Sequence, residues 1–184
     1  MHFTKLATGA ALVLLSTTIA FGQDNPRVGG AAMFADKNIV ENAVNSSDHT
    51  TLVAAVTAAG LVETLQGAGP FTVFAPVNAA FGKLPAGTVD TLLMPENKAQ
   101  LVKVLTAHVV AGKVSAADLL AGIAASSNGQ FNIRTVSGDT LIATARGNTV
   151  YIYDESGGAA RVTIADVNQS NGVIHVVDDV LLPK

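Results

Sequence analysis

The stretch from Phe71 to Phe81 constrains this chain more than any other part of it. Phe71, Val73 and Ala75 alternate with Thr72, Phe74 and Pro76, so both faces of the segment are mostly apolar. A strand of that kind needs cover on both sides and belongs in the middle of a sheet. Pro76 has no amide hydrogen and cannot carry a ladder further, so pairing stops there. Asn78 then stands where a side-chain oxygen caps the first amides of a short helix containing Ala79, Ala80 and Phe81.

Before and shortly after this stretch the apolar spacing is helical. Ile39, Val40, Ala43 and Val44 fit one face of a short helix. Asp48 can cap a second, with Leu52, Val53, Val56 and Ala59 as its buried stripe and Gly60 as its stop. Pro95 and Glu96 suit a helix start, and Leu101, Val104, Leu105 and His108 continue at helical spacing. Ser115 with Asp118 three residues on reads as a capping box. From Phe131 the period drops to two. Turns at Ser137-Gly138-Asp139, Gly147-Asn148 and Ser156-Gly157-Gly158 separate short runs and predict an antiparallel meander. Asn171-Gly172 leads into a last strand, Val173 to Val177. Helices segregated before strands predict an α+β domain.

Thr72 to Phe81 resembles the first signature of the fasciclin domain family, with Val77 where threonine is commoner. Asn171 to Pro183 resembles the second. The matching positions are Phe71, Thr72, Val73, Phe74, Ala75, Pro76, Asn78 and Phe81, then Gly172, Val173, Ile174, His175, Leu181 and Pro183. The resemblance runs over residues 36–184. It implies a fasciclin-like wedge-shaped β-sandwich with several helices packed along one edge, helices mostly in the N-terminal half and a β-meander in the C-terminal half. No internal repeat is visible, so a single module is expected.

Residues 1–22 read as a secretory signal: Lys5 near the start, an apolar run from Ala7 to Leu15, and small residues at Ala20 and Gly22. Residues 23–35, with Pro26, Gly29 and Gly30, read as a flexible N-terminal tail. The expected location is therefore periplasmic or extracellular, with no transmembrane segment after signal cleavage. The chain has no cysteine, so packing without disulfides must hold the fold in an oxidising compartment. A formal charge of −3 offers no basic patch for nucleic acid.

No nucleophile elbow, zinc-binding helix motif or phosphate loop is present, and no catalytic residue is expected. His49, His108 and His175 lack paired spacing, so neither a metal site nor a cofactor is expected. His175 faces opposite to Ile174 and Val176 in its strand and reads as a partly buried, hydrogen-bonded ring. Asp178 and Asp179 read as solvated strand-end carboxylates. The family resemblance adds binding candidates. His108 stands in a region that usually reads Tyr-His and is implicated in receptor binding; here the pair is Ala107-His108. Asp166 and Val167 match an Asp-Ile pair found in integrin-recognition sequences of animal relatives. The plain alternatives are a packed His108 and an Asp166 that ends a strand and caps the turn to Asn168.

The leading functional expectation is an exported non-enzymatic module for cell adhesion or for surface and matrix contacts with a protein or polysaccharide. The alternative is a carrier of an apolar small molecule, carotenoid or lipid, in a groove between helices and sheet. The 49% hydrophobic content motivates it. An envelope hydrolase is the third.

Overall fold

The computed structural model describes residues 25–184, so the expected signal segment 1–22 lies outside the described residues. Residues 25–35, expected as a flexible tail, carry two short paired strands, β1 (Arg27–Val28) and β2 (Ala31–Ala32). They are docked onto the domain, because burying Val28 and Met33 in the core outweighs the entropy of a loose end.

The helical half contains α1 (Ile39–Ala43), α2 (Thr50–Ala59) and α3 (Val62–Gln66) before strand β3 (Phe71–Pro76). After it come α4 (Asn78–Phe81), α5 (Thr88–Leu93) and α6 (Lys98–Ala107), then β4 (Val109–Ala111) and α7 (Ala116–Ala125). Gly60 ends α2 in the left-handed conformation, φ 73°, where a side chain would be strained. The Ser115 and Asp118 box caps α7 in both directions. The meander follows as β5 (Phe131–Arg134), β6 (Thr140–Arg146), β7 (Thr149–Tyr153) and β8 (Ala159–Gln169), and β9 (Gly172–Val177) comes last.

Seven strands hydrogen-bond in the order β4-β3-β9-β8-β7-β6-β5. The two signature stretches lie side by side: β3 and β9 run parallel, Phe71 opposite Gly172 through Pro76 opposite Val177. Gly172 is required there, since a Cβ would land on the Phe71 carbonyl. β8 turns the sheet from one layer to the other. Its first residues pair with β7, the rest pair with β9, and two register shifts lie between Val162 and Val167. The turn after β5 returns to the opposite edge, where Val136 N–H donates to the Val109 carbonyl at 2.8 Å, so the sheet nearly closes.

The alternation in β3 and β9 divides the core. Val73, Ala75, Ile174 and Val176 face the helices with Leu52, Val56, Leu65, Leu101 and Leu105. Phe74 and Val177 face the meander with Leu141, Ala143, Ile152, and Leu119 and Ile123 of α7. Among the described residues no helix is long and apolar enough to cross a membrane.

Candidate functional site

His108 and His175 come first among the sequence candidates, and both are interior. His108 closes α6 and is 2% exposed. Its Nδ1 bonds the Val104 carbonyl at 2.9 Å, and its Nε2 accepts from Leu181 N–H at 2.9 Å. A ring that must donate at one nitrogen and accept at the other is neutral. Burial pushes its pKa down to about 4, against the pull of the Val104 carbonyl and the Asp154 carboxylate. Asp154 accepts from the next amide, Leu182 N–H, at 2.8 Å. Together the two side chains pin the C-terminal strap to the end of the sheet.

His175 is fully buried, stacked on Phe74 with centroids 5.6 Å apart. Here the roles reverse: Nε2 bonds the Val114 carbonyl at 2.8 Å, and Nδ1 accepts from Asp166 N–H at 3.3 Å. Burial lowers its pKa, opposed by the Val114 carbonyl and Asp166. Asp166 does not end a strand. It sits in the irregular part of β8 at φ 56°, and its carboxylate accepts from Ala116 N–H at the start of α7, 2.8 Å away. The φ is positive because the strand switches layers there and throws one residue out of the pleat. Val167 beside it is fully buried in the helix-facing core, so its side chain has no surface to offer a partner.

Asn78 also works differently from expectation. It is the first residue of α4, and its side chain reaches across to α2. Oδ1 accepts from Thr51 N–H at 3.0 Å and Nδ2 donates to the Ser47 carbonyl at 2.9 Å. Asp48 makes no cap for α2, which the distant Asn78 caps in its place. Asp178 and Asp179, expected as solvated, pair with Arg161 and Lys83 at 3.2 Å each.

Sequence reasoning missed two buried asparagines. Asn171 accepts from Ile39 N–H at 3.0 Å and donates to the Leu65 and Gly67 carbonyls, at 2.7 and 2.9 Å. It ties α1 and α3 to the start of β9. Asn42 bonds Phe34 and Gln169. Its position three residues after Ile39, on the apolar face of α1, was the available signal.

Two features remain after these groups are satisfied. The first is a cavity of about 300 Å³ between the helices and the helix-facing side of β3 and β9. Leu52, Val56, Leu65, Val73, Ala75 and Ile174 wall it, with Val28 and Met33 contributed by the N-terminal hairpin. Four residues with polar side chains, Ser46, His49, Thr57 and His108, are among those lining it, and three have their polar atoms satisfied within the protein. Ser46 bonds His49 at 2.8 Å, Thr57 donates to the Val53 carbonyl, and His108 is engaged at both nitrogens. His49 Nε2 is buried with no partner; burial lowers the ring's pKa, against the pull of the Ala75 carbonyl, which does not reach hydrogen-bond geometry, and of Asp48.

The second feature is the outer face of the meander. Val150 and Ile152 of β7 point inward, so Tyr151 and Tyr153, the chain's two tyrosines, point out. Arg161 lies opposite Tyr151 on β8, and the Arg146 guanidinium sits 5.3 Å from the Tyr151 ring. Lys83, Asp178 and Asp179 border the same shallow groove. Among the described residues no group of three or more His, Cys, Asp or Glu side chains converges as metal ligands would.

The fold is a layered α+β domain with its two signature strands paired and with His108 and His175 held by backbone partners at both ring nitrogens. The fasciclin domain model matches residues 47–183, and the chain belongs to that family. It is similar to Protein sll1483 of Synechocystis sp., 46% identical over 184 residues covering 98% of this chain and 94% of that protein. It is also similar to the cell surface glycolipoprotein MPB83 of Mycobacterium bovis, 31% identical over 161 residues, 84% of this chain and 64% of that one. Among solved structures, a FAS1 domain pair from the insect cell adhesion molecule fasciclin I matches with a TM-score of 0.69 at 18% identity. That likeness, over 79% of this chain and 51% of the pair, is one of fold.

Proposed function

We propose that this chain is an exported, non-enzymatic module that attaches to surface or matrix polymers, whether protein or polysaccharide. The outer face of the meander carries the reading. It gathers both tyrosines with Arg146, Arg161 and Lys83 on one open groove. Tyrosine and arginine are the side chains most often found as anchors in protein contacts, because each combines a flat apolar body with a polar tip. Family membership supports the reading, as do relatives named for a cell surface and for cell adhesion. His108 and His175 give no support to a catalytic reading, since backbone partners occupy all four ring nitrogens. The test is a deletion strain scored for attachment and aggregation. Attachment should fall on deletion and return with the wild-type gene, and unchanged attachment would contradict the proposal.

A second reading, that an apolar small molecule is carried between helices and sheet, is favoured by the cavity under α1, α2 and α3.

A further inference from the structure

We infer that the cavity holds the apolar tail of a single-tailed amphiphile, about twelve carbons long, with its polar head left at the rim beside Val44. The inference rests on the second reading above and names its ligand. Size sets the length: a cavity of about 150 Å³ lined by aliphatic side chains accepts benzene, so 300 Å³ takes roughly twice that number of carbons. A forty-carbon polyene does not fit inside. Polarity sets the tail. Ser46, Thr57 and His108 have their partners within the protein, and the His49 nitrogen that lacks one is sealed from the space by its own burial. A polar group drawn inside would lose its water and gain nothing in return.

Val44 sets the orientation. It lines the cavity and is nevertheless 55% exposed, whereas Leu52, Val73 and Ile174 at the far wall are below 9%. Thr57 of α2 is a second exposed lining residue, so the space meets solvent along α1 and α2, and a head group held there stays hydrated. Exposed isolated valines are common on surfaces; this one is continuous with an apolar interior, which distinguishes it.

The test is displacement of 1-aminoanthracene from the exported, purified protein by straight-chain alcohols of six to sixteen carbons. Affinity should rise about fourfold per added methylene, as expected for hydrocarbon leaving water, and then level off near twelve carbons as further methylenes remain at the rim. Ala43→Phe, which places a ring into the cavity wall, should move the plateau to shorter chains. Val44→Ser should weaken every chain slightly without moving it. If no alcohol displaces the probe and none raises the melting temperature, the carrier reading itself fails. If affinity climbs through sixteen carbons without a plateau, the tail lies along an open surface. The carrier reading would then survive, but the inference about this cavity would not. The wild-type series decides between these outcomes even if a variant fails to fold.

Discussion

Acidification should loosen this fold mainly through His108, before most carboxylates are protonated. In the folded chain the ring titrates at about 4; in the unfolded chain it returns to its ordinary 6.5. Between those values the unfolded state holds a proton that the folded state refuses, so stability rises with pH across the window. The contribution is complete above about 6.5 and is lost as pH falls toward 4. A gap of about 2.5 in pKa, at about 1.4 kcal/mol for each, amounts to about 3 kcal/mol, of which about 2 kcal/mol is gone by pH 5. The structural cause is specific. A proton on Nε2 points two hydrogens at each other where Leu181 N–H now donates, so the C-terminal strap loses one of its two anchors. His175 and His49, also lowered by burial, act with the same sign. Urea midpoints measured between pH 7 and 4.5 give the slope, and His108→Gln, which cannot titrate, should be less stable at pH 7 and markedly flatter with pH. A wild-type curve flat from pH 7 to 5, or a His108 ring resonance titrating near 6.5, would refute the reasoning.

Other changes should be felt at defined places. Gly172→Ala puts a methyl group onto the Phe71 carbonyl with backbone on both sides, and should cost about 3 kcal/mol or more, read as a lowered urea midpoint. Asn78→Ala should cost about 1–2 kcal/mol and speed hydrogen exchange at Thr51, the amide it caps, while leaving α4 itself intact. Ser115→Ala removes one half of the α7 box and should cost about 1 kcal/mol.

Much of the fold was legible wherever a residue's partner lies close in sequence. The end of β3 at Pro76, the stop of α2 at Gly60, the Ser115–Asp118 box and the glycine turns of the meander all follow from local backbone chemistry. The alternation around His175 pointed to a partly buried, hydrogen-bonded ring; the hydrogen bonds are there, but both faces of β9 are covered and the ring is fully buried. What local pattern could not show is which distant groups meet. Asn78 has the right chemistry for a cap, but the amide it serves lies 27 residues away, delivered by tertiary packing. Asp166 looks like a strand end in sequence, and only the change of layer within β8 explains its positive φ. Asn171 reads in sequence only as the lead into the last strand, yet its side chain ties that strand to α1 and α3 across separations of more than 100 residues. The proposed contact face was hidden for a related reason. Tyr151 and Arg161 become neighbours only through strand register, and Arg146 joins them from a third strand.

The most direct measurement is adsorption of the purified protein to envelope and matrix material from the source cells, comparing wild type with a Tyr151→Ser, Tyr153→Ser, Arg146→Ser triple variant. Those side chains lie on the outer face of the sheet, but both tyrosines are half-buried and contact Arg146, so the melting temperature should fall by a few degrees and adsorption is compared well below both transitions. Loss of two aromatic anchors and a cation should weaken adsorption at least about a hundredfold. Equal adsorption by a triple variant that is still folded at the assay temperature would contradict the claim that this face makes the attachment.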